Sequence, residues 1–400
     1  MHRIRLKSGK EKKIRNAYPW IFRDDIATQF KDRGDIPNGA IVEIADAEDK
    51  FLAVGYYNAL SHIVVRVLDR KNRTIDKHFF KQRIQRAFDF RTQLALSSDA
   101  RRLIHAEGDR LPGLMVDQFG EYLVVQFRSL GMEKFRTEIL ETLVEVVKPK
   151  GIYDRSDMES REEEGLEPFS GVVYGAIPEE IVISENDLLF HVDIHRGHKT
   201  GFYLDQRENR AYVRTLVKPN QTGLDLFSYT GGFAVALAQS GVRMTAVDQD
   251  AVALEGGRAN VRRNNVEKRL QFIHADVFKY MEEQVALKTS APDKVKKYDV
   301  IVIDPPAIAK RKEGIEKLKW AYWKLLHQAI QLLNPGGHIV LSSCAYHMPV
   351  DLMLEAARFA SADNGVSMRV VNITYQPPDH PWMLQIPETL YLKTVYFQLM

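Results

Sequence analysis

Five short apolar runs in the second half of the chain each lead to a residue that can do chemistry. Gly223–Phe227 contains Asp225 and opens onto Phe227-Ser-Tyr229-Thr230-Gly231-Gly232. Met244–Val247 ends at Asp248, and Gln271–Ile273 is followed by Asp276. Tyr298–Ile303 runs into Asp304-Pro305-Pro306, and His338–Leu341 into Ser342-Ser343-Cys344. Paired glycines opening a helix let the backbone approach a ligand, and the exposed N–H groups there favour a carboxylate. Asp248 lies about 23 residues after Asp225, a spacing that suits an acid accepting hydrogen bonds from both hydroxyls of a ribose. Asp276 is expected beside a purine amine, with a helix N-cap as the alternative. Neither G-x-G-x-x-G nor G-x-x-x-x-G-K-[ST] is present, which argues against NAD and against a phosphate-loop NTPase. A glycine turn with no pyrophosphate cradle suits a nucleoside whose tail is an amino acid, S-adenosylmethionine.

Residues of this kind need a scaffold that gathers them. Buried strands alternating with helices predict a parallel, doubly wound α/β sheet, whose ligands sit outside the carboxyl ends of the strands. The last run, Tyr391–Leu399, follows a Pro-rich loop and not a helix, so a reversed terminal strand is expected. Three segments follow from the patterning. Residues 1–73 form a β-rich unit, with strands at Ala40–Ile44, Phe51–Tyr57 and His62–Leu68 and turn chemistry at Asp32–Gly34 and Pro37–Gly39. Residues 74–190 mix helices (Ile75–Leu94, Met132–Val147) with a strand at Gly120–Phe127 and an acidic surface loop at Glu159–Glu167. Residues 191–400 carry the alternating pattern.

With 45% hydrophobic and 27% charged residues over 400 positions, the chain is well cored, not disordered. Its single cysteine, Cys344, excludes an intramolecular disulfide and a cysteine-rich zinc site and fits a reducing compartment. No apolar run reaches the ~18 residues of a membrane helix, and no secretory signal follows the basic start, so a cytoplasmic location is expected. The net charge of +3 conceals a polarity. Residues 1–23 hold eight Lys or Arg (Arg3, Arg5, Lys7, Lys10, Lys12, Lys13, Arg15, Arg23) against Glu11 alone, leaving the rest acidic on balance. Such an end is expected of an anchor for a polyanion, or of a solvated tail; Tyr18, Trp20 and Phe22 directly after it favour something folded. His195, His198 and His380 lack metal-ligand spacing, so no metal is expected; His380, in Asp-His-Pro-Trp382, is read as shaping a loop.

The set Asp225-x-Phe-x-Tyr-Thr-Gly-Gly, Asp248, Asp276 and Asp304-Pro-Pro resembles the class I S-adenosylmethionine-dependent methyltransferases. Gly197-His-Lys-Thr-Gly-Phe-Tyr-Leu-Asp-Gln-Arg207 and Gly108-Asp-Arg-Leu-Pro-Gly-Leu-Met-Val-Asp117 narrow the resemblance to the ribosomal RNA large subunit methyltransferase I family, along essentially the whole chain. The resemblance implies an N-terminal PUA RNA-binding domain, a central α+β domain and a Rossmann-like methyltransferase domain with a mostly parallel seven-stranded sheet. It implies an enzyme that methylates cytosine C5. It also implies Gln206, Arg207, Asp225, Phe227, Tyr229, Thr230, Gly231, Gly232, Asp248, Asp276 and Asp304 as cofactor residues, with Cys344 and Asp304 as catalytic ones. A thiolate adding at cytosine C6 makes C5 nucleophilic, and Cys344 at a strand end is placed for that role, whereas a lone cysteine is more often inert core. Many RNA cytosine-C5 enzymes carry a second cysteine after the Pro-Pro; here Ala307 follows, so water and Asp304 are the candidates for the proton acceptor.

Two other functions stay open at this point. One is methylation of purine nitrogens, for which Cys344 would be dispensable: enzymes acting on base nitrogens often carry Asp-Pro-Pro followed by an aromatic that stacks on the flipped base, and Ala307 in that place here weakens the reading. A cofactor-binding assembly factor without catalysis would bind RNA regardless of Asp304 and Cys344. The partner expected is large-subunit ribosomal RNA, held by the basic N-terminal region and the catalytic cleft; a homodimer is left open.

Overall fold

The computed structural model describes residues 1–27, 36–306 and 314–400. The turn expected at Asp32–Gly34 and the residue Ala307 lie outside the described residues. The chain forms two compact units: 1–181 with 192–204 and 378–389, and 182–191 with 205–377 and 390–400. The first thus holds two segments that the sequence pattern placed in the third block. Hydrogen bonds show why. Thr200 Oγ1 donates to Asp117, Arg155 donates to the carbonyls of Ile194 and Gly197, and Asp379 accepts from the Arg102 N–H while its carbonyl accepts from Arg91.

In the first unit, strands His2–Arg5, Ile41–Ala45, Phe51–Tyr57, Ile63–Asp69 and Trp20–Phe22 pair in that spatial order. A second five-stranded sheet runs from Ala100–His105 through Leu114–Phe119, Tyr122–Phe127 and Gly151–Ser156 to Phe169–Gly175. Helices Lys77–Gln93 and Arg136–Val147 belong to the same region. The two sheets share one apolar core, in which Val54, Tyr56 and Leu68 join Leu103, Val116 and Phe127. Tyr56 is the joint: its hydroxyl donates to the Pro112 carbonyl at 2.8 Å, and its ring lies so close to Gly131 that a Cβ there would stand 2.1 Å from it.

Three expectations need correction. The expected helix Met132–Val147 is two pieces, Leu130–Glu133 and Arg136–Val147. The acidic stretch read as a surface loop is a 3-10 turn, Glu159–Glu164, whose Glu164 is 3% exposed. The Glu164 carboxylate meets Arg66 at 2.8 Å, on a strand of the first sheet, and Ser61 at 2.6 Å and Asn58 at 2.9 Å, in the turn before that strand, and accepts the Leu130 N–H. A buried acid needs partners, and these are remote in sequence, so composition hid them. Most of the basic N-terminus is paired: Arg3 with Glu43, Arg5 with Asp49, Lys10 and Lys13 with Asp25, Arg15 with Asp46. Lys7 and Lys12 make no ion pair among the described residues.

The second unit is built on a seven-stranded sheet: β1 Thr222–Leu226, β2 Arg243–Asp248, β3 Leu270–His274, β4 Tyr298–Ile303, β5 Leu333–Ser343, β6 Met368–Tyr375 and β7 Lys393–Leu399. The spatial order is 3-2-1-4-5-7-6. Strands β3, β2, β1, β4 and β5 are parallel, and β7 is antiparallel to both β5 and β6. The reversed terminal strand expected from the sequence is therefore present, wedged between β5 and β6. Helices α1 Arg207–Val213, α2 Gly232–Gln239, α3 Ala251–Arg263, α4 Val277–Ser290, α5 Ile315–Leu332 and α6 Val350–Asp363 complete the unit. Val300, Ile301, Val302 and Ile303 are all fully buried, which is why β4 reads as a continuous apolar run and not an alternating one. Strand order reverses at β1 and β4, and the crevice at such a reversal is the ligand site of open α/β sheets.

Candidate active site

The loop leaving β1 is the most constrained backbone of this unit. Phe227 (φ 62), Tyr229 (φ 50) and Gly231 (φ 77) all adopt the left-handed region. For the two aromatic residues that conformation costs ~1–3 kcal/mol each and persists only where surroundings over-determine it. They do so here. The Ser228 N–H donates to the Val247 carbonyl, the Tyr229 N–H donates to Asp248 Oδ2 at 2.8 Å, and Asn260 Nδ2 donates to the Thr230 carbonyl. Asp225, 1% exposed, accepts the Ala234 N–H at 3.0 Å and so ties the strand to the first turn of α2. Burial pushes its carboxyl well above the usual aspartate range, with only the Ala234 hydrogen bond and Arg210 opposing. Gly231 and Gly232 stand at the start of α2.

Asp248 is half-buried at the end of β2 and also accepts the Asp250 N–H through Oδ1. Asp276 is exposed and caps α4 by accepting the Lys279 N–H at 3.0 Å, the N-cap alternative foreseen for it. Phe227 stacks edge-on against Phe278 at 5.9 Å. Ser228 Oγ and Thr230 Oγ1 are buried with no hydrogen-bond partner among the described residues. Buried hydroxyls are nearly always satisfied, so the loop fits a ligand with several polar groups, as a nucleoside carrying an amino acid has.

Asp304 follows β4 and anchors a polar chain that the sequence reading missed. Gln206 Nε2 donates to Asp304 Oδ1 at 3.0 Å, and Asn209 Nδ2 donates to Gln206 Oε1 at 2.6 Å. Asn209 also donates to Thr394 and accepts from the Thr374 and Tyr396 hydroxyls, reaching β6 and β7. Thr394 in turn bonds Ser342 of β5. Desolvation, helped by the nearby Asp205, pushes the Asp304 carboxyl up to about 7, against the Gln206 hydrogen bond and Arg210. Asp205 accepts from the Tyr391 hydroxyl at 2.8 Å. Arg210 is held by a buried bidentate pair with Glu185, at 2.6 and 2.7 Å. Arg207 is fully buried, and its Nε donates to Glu208 Oε1 at 3.2 Å.

Cys344 comes directly after β5 and is exposed. Beside it the Tyr322 hydroxyl of α5, buried and therefore raised in pKa, feels both Cys344 and Asp304. The α1 residue Asn209, together with Thr394 and Lys393 of β7, carried no motif; the one available signal was a polar residue inside an otherwise apolar strand.

A parallel sheet with this order, a strained glycine loop at the reversal and acids at successive strand ends define a class I S-adenosylmethionine-dependent methyltransferase. Comparison with known proteins agrees. A family model described as a PUA-like domain matches residues 4–70, and one described as S-adenosylmethionine-dependent methyltransferase matches residues 162–397. Curated proteins named ribosomal RNA large subunit methyltransferase I are similar throughout. One from Klebsiella pneumoniae is 38% identical over 98% of this chain and 96% of its own, and one from an Enterobacter is 37% identical over 98% of each. The chain belongs to this family, and its cofactor is S-adenosylmethionine. The solved structure of SMU.776 complexed with SAH shares the fold along the full length of both chains, with a TM-score of 0.84 and 24% identity. A methyltransferase structure from Streptococcus mutans does so with a TM-score of 0.82 and 23% identity.

Proposed function

We propose that this protein makes 5-methylcytosine in large-subunit ribosomal RNA in the cytoplasm, by covalent addition of the Cys344 thiolate to the base. The observation that carries the reading is the place of the single cysteine. It follows β5 at the carboxyl rim that also holds Asp304, and both groups act on the same buried Tyr322 hydroxyl. The relatives are named for ribosomal RNA, and the PUA-like match supports an RNA substrate. Bound S-adenosylmethionine supplies an electrophilic methyl group on a sulfonium, for in-line displacement.

The chain's own residues do the rest. Each oxygen of Asp248 accepts one backbone N–H and keeps a lone pair for a ribose hydroxyl. Asp276 caps α4 with Oδ1, and its other oxygen would be left to accept from the adenine amine. Phe227 would flank the purine. Thr230, Gly231, Gly232 and the Tyr229 backbone would hold the amino-acid tail, with Gln206 and Arg207 contributing from the start of α1, while Asp225 keeps the loop in place through the Ala234 N–H. The Cys344 sulfur bonds cytosine C6, and the ring becomes an enamine whose C5 would take the methyl group as the methyl–sulfonium bond breaks and a neutral thioether leaves. Loss of the C5 proton then expels the thiolate and restores the double bond. Asp304, which titrates near neutrality, is matched to accepting that proton.

The test is methyl transfer from labelled S-adenosylmethionine to ribosomal RNA from cells lacking the enzyme, with products identified as nucleosides by mass. Labelled 5-methylcytosine from the wild type and none from Cys344→Ala supports the mechanism. A methylated purine, or undiminished 5-methylcytosine from the variant, refutes it.

A further inference from the structure

Lys393 opens β7 directly opposite Ser343, the last residue of β5, in the antiparallel register. It is 4% exposed, yet it makes no ion pair with a carboxylate among the described residues. Its Nζ donates to the Ala345 carbonyl at 2.7 Å, so the ammonium is fixed at the residue following Cys344. A buried ammonium is costly unless a counter-charge meets it. Burial draws its proton affinity down, and the neighbouring Cys344 sulfur draws it up. Among the described residues, Tyr322 of α5 also faces Cys344, and burial keeps it neutral; Asp304 faces that same tyrosine, and Tyr346 and His347 follow on the cysteine's own loop.

We propose that Lys393 is the positioning residue that holds Cys344 as a thiolate, its buried ammonium serving as the counter-charge and its bond to Ala345 fixing the strand end. This rests on Cys344 being the nucleophile. The step is one proton transfer: the thiol S–H breaks, its proton leaves to solvent water, and the thiolate left behind pairs with the Lys393 ammonium. Burial brings Lys393 down to about 8, which still leaves it an ammonium at neutral pH, the charge that a neighbouring thiolate needs. A methylene stem alone would fill the same space and give no such coupling.

The experiment exploits there being a single cysteine in the chain. Alkylation of the full-length protein by iodoacetamide is followed by intact mass from pH 5.5 to 10, and each rate is divided by that protein's own plateau at high pH, which removes differences in access. The wild type is expected to inflect below the ordinary thiol value. Lys393→Met is expected to lose about tenfold of the normalised rate at pH 7, one pH unit of inflection, and Lys393→Arg to keep most of it. Methyl transfer by Lys393→Met should fall in kcat, recover toward high pH, and leave S-adenosylmethionine affinity by calorimetry unchanged. Identical normalised profiles for wild type and Lys393→Met would overturn the proposal. If Lys393→Met does not fold, a wild-type inflection at or above the ordinary thiol value, or a Lys393→Arg profile displaced upward, overturns it as well. Undiminished 5-methylcytosine from Cys344→Ala would instead defeat the thiolate mechanism, while leaving the alkylation profiles as evidence for the pair.

Discussion

Asp304 carries two opposed requirements, a place in the proposed catalytic rim and a half-buried carboxyl group. Its proton affinity in the folded chain exceeds that of the unfolded one, so the neutral acid is the form that folding favours. The sign follows from linkage: stability falls as pH rises from about 4, the ordinary aspartate range, through about 7, and the full penalty is felt above that. Asp304→Asn keeps an acceptor for Gln206 and should therefore gain ~1–2 kcal/mol over the wild type at pH 8 and nothing at pH 4, read by thermal melts at both. Its methyl transfer should drop by ~10²-fold or more. Equal melts at pH 8 would show that the carboxylate is not strained by its burial. Asp248 offers a cleaner residue test. Asp248→Asn should weaken S-adenosylmethionine binding about tenfold or more by calorimetry, since an amide cannot accept from two ribose hydroxyls and two backbone N–H groups at once; unchanged affinity would place the ribose elsewhere.

At the scale of elements, the loop between β1 and α2 and the chain from Gln206 to Thr394 do the positioning. Gly231 stands at φ 77, where a Cβ would meet the Phe272 ring at 2.9 Å. Gly231→Ala should cost ~1–3 kcal/mol in urea unfolding and weaken cofactor binding with it. Asn209 holds four polar partners inside the fold. Asn209→Leu would strand them and should cost ~2–4 kcal/mol, with a lower kcat because Gln206 loses the group that aims it at Asp304. A small stability loss with normal kcat would show that Gln206 is oriented without it. The glycine loop was legible because paired glycines and an acid at a strand end are local features. The Asn209 network was not, because Asn209, Thr374, Thr394 and Tyr396 come from α1, β6 and β7 and belong to no motif, although Gln206 and Asp304 at its other end do.

For the whole molecule, charge and core tell different stories. The eight basic residues near the N-terminus read as an excess, yet five of them meet acids of the same unit. Pairs such as Arg3 with Asp49, both 44% exposed, are worth little and yield readily to phosphate. Binding of ribosomal RNA to the full chain should weaken with salt, and replacing Lys7 and Lys12 together by Ala should lower the slope of log K against log salt by ~1–2. An unchanged slope would put the phosphate contacts elsewhere. Glu164 is the counterpart in the interior: Glu164→Ala leaves Arg66 buried and unpaired and should cost ~3–5 kcal/mol.

The apolar rhythm from residue 222 onward was enough to place β1 to β5, the reversal of β7 and the acids at their ends, because strand periodicity and strand-end chemistry are written within a few residues of one another. Pairing of distant groups is not written that way. The burial of Glu164, the return of residues 192–204 and 378–389 to the first unit, the neutralised N-terminus and the ammonium of Lys393 beside Cys344 all depend on partners tens to hundreds of positions away. Only folding brings such groups within hydrogen-bond reach, and only then does desolvation set their charge.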